Sequence, residues 1–328
     1  MKTKILFALI VLFSLQPGFA DTAPTLYAVM IQNQNAILHG NNVALGLHRY
    51  DGDTTWTHLG WRTAKCFAGD VHPQDNSVIC LACGNGVMKS ANGGEEWRIT
   101  TDWRMTEVLD VAFDPIDPSA IYSATAYGVW MSPDGGRFWQ YSGKGIVKSF
   151  IQTLCCDIST SGRLFAGGEG GLYLTENRAD RWSEISNQAA ILDIYQNPKF
   201  PDKWIAGSRD HGVMLSSDNG KTWTFAEGPI SDKTIYAVAM NMNNANIMAA
   251  AGFHTGIYIS KDNGTTWEQK QVPNSRDFHA LIFDPRHQER LWVGTLGQGV
   301  IYSDDLGESW HHAGLSGGEI WSFTWDHR

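Results

Sequence analysis

The chain has 328 residues, is 43% hydrophobic and 18% charged, and carries a formal net charge of −9 without any run of Lys or Arg. An acidic protein with no basic stripe is not built to hold nucleic acid, whose binding rests on clustered cations. Beyond the first twenty residues no stretch is long and apolar enough for a membrane-spanning helix.

Residues 1–20 read as a secretory signal peptide. Lys2 and Lys4 form a positive start, Ile5 to Leu15 an apolar run, and Pro17 precedes a small-residue cut after Ala20. The expectation is therefore an exported protein, periplasmic or extracellular, not membrane-spanning once the signal is removed. Residues 21–328 form a single domain. Losing Lys2 and Lys4 takes the charge from −9 to −11.

Downstream the chain is a series of repeats. Thr25-Leu26-Tyr27-Ala28-Val29 opens the first, which ends in a worn octapeptide, Arg49 to Trp56, keeping Asp51, Thr55 and Trp56. The second holds Cys66, Cys80 and Cys83 and closes with Ser90 to Trp97, where Asn92 takes the place of the Asp. Across a hairpin turning at His72 to Asn76, Cys66 falls opposite Cys83 or near Cys80. One disulfide is expected there, with Cys66–Cys83 preferred. Cys80 and Cys83 spell CxxC, but Gly84 follows where a haem attachment needs His, and the segment reads as strand. No cofactor or metal is expected.

The third repeat shows the full pattern. Val108 to Pro115 is a strand ending at Asp-Pro, and Ala120 to Ala124 is a second strand. Ala126-Tyr127-Gly128 is a loop, Val129 to Met131 a third strand, and Ser132 to Trp139 the octapeptide with Asp134. The fourth carries the vicinal Cys155-Cys156 and a worn octapeptide with Asn177 and Trp182. The fifth, sixth and seventh close with Asp218 and Trp223, Asp262 and Trp267, and Asp305 and Trp310. Glu319 to Asp326 reads as one more first strand, so the two ends share a blade. Thr25 to Val29 resembles the opening of repeat six, Thr234 to Val238, so which end supplies the inner strand stays open.

The closing tryptophans 56, 97, 139, 182, 223, 267 and 310 are spaced by 41, 42, 43, 41, 44 and 43 residues. The motif S-x-D-x-G-x-T-W is a turn device. Gly accepts positive φ, Asp or Asn accepts backbone N–H groups, and Trp buries a ring at the start of the next strand. Four short strands per period, repeated seven times, predict an all-β, seven-bladed β-propeller of four-stranded blades. Eight blades with one partial is the alternative.

The octapeptide resembles the Asp-box, or BNR repeat, of sialidases, xyloglucan-degrading glycoside hydrolases, sortilin-type receptors and the photosystem II stability/assembly factor family. One Asp-box turn per repeat, in a signal-bearing single propeller, is most similar to the last. That resemblance implies a non-enzymatic scaffold that holds a protein client, such as a membrane-protein complex. The sialidase catalytic signature is missing: there is no Arg-Ile-Pro start and few Arg that could converge. The xyloglucan hydrolases of this type imply two facing propellers, of which this length supplies one. A carbohydrate-binding protein or glycoside hydrolase is the alternative reading.

In a propeller, the loops between second and third strands and those leading into the inner strands share one face. The first set places Asn85, Tyr127, Glu169, Asp210, His211, His254 and Gln298 there. The second adds Glu107 and Phe278, with Arg62, Lys65, Arg104, Lys148 and Asp277 beside them. Glu169 and Asp210 on neighbouring loops are the pair a hydrolase would use. His211 and His254 are the pair a metal would use. No catalytic residue is assigned.

Overall fold

The computed structural model describes residues 23–40 and 42–326. The expected signal peptide, residues 1–20, lies outside them. Seven four-stranded antiparallel sheets stand around a central channel, so the structure is a seven-bladed propeller. Blade 2 spans 66–99, blade 3 108–141, blade 4 151–186, blade 5 191–225, blade 6 237–270 and blade 7 278–312. In each of these the first strand is innermost, and successive inner strands pack against one another around the ring.

Blade 1 closes the ring. Its strand order begins with Gly318–Trp325, followed by Leu26–Asn33, Gly46–Gly52 and Thr55–Leu59. The C-terminal strand therefore supplies the inner position. Leu26–Asn33 is a second strand despite its likeness to the start of repeat six. Leu26 pairs with Trp325 and Tyr27 with Thr324, and Thr25 N–H donates to Asp326 Oδ1 at 2.8 Å.

Seven hydrophobic clusters fill the seven gaps between adjacent blades. One joins Ile205 and Val213 of blade 5 to Val238 and Met248 of blade 6, and another joins Leu26 and Ala28 of blade 1 to Trp292 and Val300 of blade 7. A blade cannot bury its flat face alone, so stability resides in neighbour contacts.

Six octapeptides fold alike. In blade 5, Ser216 Oγ accepts the Gly220 N–H at 2.9 Å and donates to Asp218 Oδ1 at 2.8 Å, while Asp218 Oδ1 accepts the Thr222 N–H at 2.9 Å. The same hydrogen bonds recur around Asn92, Asp134, Asp262 and Asp305. Asn177 keeps two of the three, accepting from Thr175 Oγ1 and from the Arg181 N–H. The first copy differs. Asp51 ends a strand and accepts from Arg49 and Thr57, so blade 1 turns by a tight hairpin instead. The tryptophans brace these corners. The indole N–H of Trp97, Trp223 and Trp267 reaches the carbonyl of the motif Gly, whereas that of Trp56, Trp182 and Trp310 reaches a neighbouring blade. Trp139 is buried in the gap between blades 2 and 3.

Cys66 pairs with Cys83 in the register of blade 2 and is disulfide-bonded to it. Cys80, Cys155 and Cys156 are free, and burial pushes the Cys80 thiol up to about 12, which makes it a poor nucleophile.

Candidate functional site: the channel mouth and its loop face

The octapeptides occupy one face of the ring, the motif face. The opposite, loop face carries the variable connections. Blade 1 departs most there. Its second and third strands are joined through a short helix, Gln34–His39, capped by the Asn33 side chain. No helical period marks six residues, so only the Asn33 cap and the left-handed Gly40 hint at it.

The predicted loop residues separate into distinct environments. Asn85, Glu107, Tyr127, Glu169, Asp210, His211 and His254 are exposed. Glu107 takes a positive φ of 51°, and Tyr127 Oη donates to its Oε1 at 3.4 Å. Glu169 lines the channel and its carbonyl receives Lys148 Nζ. Asp210 is held outside the lining by Thr234 Oγ1 at 2.6 Å, so the structure does not bring it and Glu169 together in the channel. His211 Nδ1 lies 3.1 Å from the Arg209 carbonyl, and His254 Nδ1 lies 3.1 Å from Asp277. Each ring is engaged by its own loops, and no cluster of three metal-ligating side chains is found among the described residues. Gln298 Nε2 donates to the Asn274 carbonyl at 2.6 Å. Phe278 is not a loop residue. It begins the inner strand of blade 7, is 1% exposed, and packs in the gap between blades 6 and 7.

Sequence reasoning missed the residues that line the mouth. Near the start of the inner strands of blades 2, 3, 4, 5, 7 and 1 the pairing register skips one residue: Phe67, Leu109, Gln152, Leu192, His279 and Trp321. A β-bulge leaves its extra residue unpaired and re-aims the side chain. All six line the channel, and Tyr236 completes the ring from blade 6. The signal was present. Several inner strands carry an apolar doublet near their start that breaks alternation, such as Cys66-Phe67, Ile191-Leu192 or Ile320-Trp321. The first member is buried against the neighbouring blade and the second faces the channel.

The ring is chemically lopsided. Phe67, Trp321, His279 and Tyr236, from consecutive blades, form an aromatic arc. Phe67 and Trp321 have centroids 5.3 Å apart, Trp321 and His279 stack at 4.1 Å, and His279 and Tyr236 stack at 4.9 Å. Leu109, Gln152 and Leu192 form the facing, mostly aliphatic arc. Burial holds His279 well below the usual imidazole range, at about 4, so it is neutral at physiological pH.

Deeper carboxylates serve the framework. Asp110 accepts the N–H groups of Val111 and of Leu154 in the next blade, and Asp193 those of Ile194 and of Val238. Asp70 likewise accepts from Val71 and from Phe113 of blade 3. Adjacent inner strands do not pair as a sheet, so these carboxylates satisfy edge amides across the gap. Burial pushes the Asp110 carboxyl up to about 7 and that of Asp193 to about 6.

No protein-family profile matches the chain, and no curated protein matches it by sequence. Solved structures share its fold. The GH74 enzyme of Niastella koreensis superposes with a TM-score of 0.68 at 18% identity, covering 92% of this chain and 54% of its own. The GH74 xyloglucanase of Xanthomonas campestris gives 0.69 at 17%, covering 92% and 52%. This chain thus spans about half the length of those enzymes. YCF48 from Cyanidioschyzon merolae gives 0.58 at 17% identity, covering 75% of this chain and 84% of its own. YCF48 bound to D1 peptide gives 0.58 at 14%, covering 89% and 86%.

Proposed function

We propose that the protein is an exported, non-catalytic Asp-box propeller that holds a protein partner on its loop face and assists assembly or stability of an envelope complex. The observation that carries this is where apolar surface is exposed. Twelve large hydrophobic side chains are exposed among the described residues, and seven stand on loop-face connections. Trp103 is 85% exposed, Val147 77% and Leu38 72%, and Ile37, Trp61, Tyr127 and Phe253 are also exposed in the same set of loops. Exposed apolar area gathered on one side of a soluble fold marks an interaction surface. Trp and Tyr are the residues that anchor protein interfaces. The similarly sized YCF48, solved with a peptide bound, supports the same reading.

A carbohydrate reading is favoured by a different observation, the greater overlap with the GH74 enzymes. Against hydrolysis stands the channel chemistry. Of the carboxylates lining the channel, Asp110 and Asp193 are committed to backbone amides and Asp326 to the Thr25 N–H, which leaves Glu169.

The test is affinity capture from detergent-solubilised host envelope by the mature protein and by a Leu38→Asp, Trp103→Ser, Val147→Asp variant, read by mass spectrometry. Subunits of one complex should be enriched by the wild type and lost from the folded variant. Equal capture by both, or hydrolysis of a xyloglucan oligosaccharide by the wild type, would overturn the reading.

A further inference from the structure

We infer that the loop face seats on a phospholipid bilayer, its apolar loop tips entering the interface while the basic residue that follows each tip meets lipid phosphate. The inference rests on the proposed reading of that face as the surface that meets an envelope complex. It adds the lipid around the complex to what the face touches.

The first observation is a pairing in the sequence. Of the seven large hydrophobic side chains exposed on loop-face connections, five are followed directly by a basic residue or His. Trp61-Arg62, Trp103-Arg104 and Val147-Lys148 supply a permanent cation. Leu38-His39 and Phe253-His254 supply an imidazole. All five following residues are exposed. With 25 Lys and Arg and 11 His in 328 residues, chance gives fewer than one such pair among seven. The remaining exposed large hydrophobics, Ile99, Ile116, Phe138, Tyr141 and Phe200, show none.

The second is a helix turned the wrong way round for water. A surface helix sets its apolar stripe on the core and its polar residues outward. Gln34–His39 does the reverse, and none of its residues is buried. Its polar start is tied to the ring: the Gln34 N–H donates to the Gly317 carbonyl at 2.8 Å, and the Asn33 and Asn35 amides donate to the Ser316 carbonyl at 3.1 and 3.5 Å. Ile37 and Leu38 are left 61% and 72% exposed.

The third is how the tips are spread and what their cations lack. A protein hot spot gathers its anchors at one desolvated centre. These five tips stand on five separate connections: within blade 1, between blades 1 and 2, 2 and 3, and 3 and 4, and within blade 6. What meets them together must be broad and must accept an apolar group and a cation at each point. A bilayer interface does so, since Trp rings settle at headgroup level and Lys and Arg reach up to phosphate. Arg104 is paired with Asp102 at 2.6 Å and His254 with Asp277. Among the described residues Arg62 and Lys148 meet only backbone carbonyls, those of Asn42 and Glu169, so both lack an anion. The chain is acidic overall, so the contact is local and weak.

The test sediments the mature protein with sucrose-loaded vesicles of phosphatidylcholine containing about a quarter phosphatidylglycerol. The wild type should move into the pellet as lipid is added. An Ile37→Ser, Leu38→Ser, Trp103→Ser variant should bind at least about tenfold more weakly. Trp103→Phe, which keeps an aromatic tip, should retain more binding than Trp103→Ser. Arg62→Gln with Lys148→Gln leaves every tip in place and should weaken binding about fivefold or more, a margin that shrinks as salt rises. Ile116→Ser with Phe138→Ser, on the motif face, should change nothing. Wild type left in the supernatant, undiminished binding by the loop-tip variant, or equal loss in the motif-face control would overturn the lipid contact. The vesicles hold no protein, so the two readings fail separately. Capture from detergent without vesicle binding would leave a protein partner alone, and vesicle binding without capture would remove the partner and keep the lipid contact.

Discussion

The two faces of this ring are built on opposite principles. On the motif face, five turns repeat the same hydrogen bonds at the same spacing and a sixth, at Asn177, keeps two of the three, so the chain there is nearly one structure repeated. On the loop face the connections differ in length and chemistry, from the two-residue Ala126-Tyr127 turn to the helix Gln34–His39. Trp shows the contrast within one residue type. Trp204 is fully buried near the motif face, its ring against Phe165 at 4.8 Å, whereas Trp103 on the loop face is 85% exposed. Repetition marks what the fold requires, and departure from it marks surface free to serve a partner.

The largest effect should come from emptying the framework. Trp204→Ala should destabilise the protein by about 3–5 kcal/mol, the range for deleting a buried aromatic. Urea unfolding measures it. A cost under about 1 kcal/mol would mean that blade gaps repack freely.

The carboxylates separate the two kinds of site by pH. An unfolded chain releases the Asp110 proton near its ordinary value of 3.8, and the folded one near 7. Between those values the folded state binds more proton, so this group makes stability fall as pH rises, and it adds no slope above about 7. Asp193 acts the same way up to about 6. The motif-face carboxylates have the opposite sign. Hydrogen bonds from Thr222 and Ser309 hold Asp218 and Asp305 down to about 2, so their contribution is present above 3.8 and lost as pH falls toward 2. An Asp110→Asn, Asp193→Asn variant should therefore lose the decline between pH 4 and 7 while keeping the acid limb. A parallel decline in wild type and variant would refute this assignment.

These particulars show what was legible. The tryptophan spacing and the octapeptide revealed blade number and strand order, because each blade must solve the same packing problem. Two features were hidden for physical reasons. Leu26–Asn33 and Gly318–Trp325 both read as apolar strands, and only hydrogen-bond partners decide that the latter is inner. The mouth residues sit within strands at bulges, where a one-residue shift in pairing, invisible to alternation, turns Leu109 or His279 into the channel. Phe278, expected in the loop leading into this strand, is instead its first residue and packs in the blade gap beside His279. Loop residues such as Tyr127 were found because variation within a fixed period exposes them, but their partners, such as Glu107, depend on backbone geometry.

A middle-sized effect is expected from one motif turn. Ser216 Oγ accepts the buried Gly220 N–H, and Ser216→Ala strands it. The loss should be about 1–2 kcal/mol. Because the same bond recurs at Ser260, the matching variant should cost a similar amount. Unequal losses would show that the turns are alike in form but not in energy.

The smallest effect on stability should be at Trp103. Its ring is almost entirely in water, so Trp103→Ser should change unfolding free energy by less than about 0.5 kcal/mol. It should nevertheless reduce partner capture, since a desolvated Trp anchor is worth about 2 kcal/mol or more in an interface. Stability unmoved and capture lost is the pattern of a residue kept for what it touches outside the molecule. If Trp103→Ser destabilises the ring instead, the exposed side chain belongs to the framework and the contrast between the faces fails at its sharpest point.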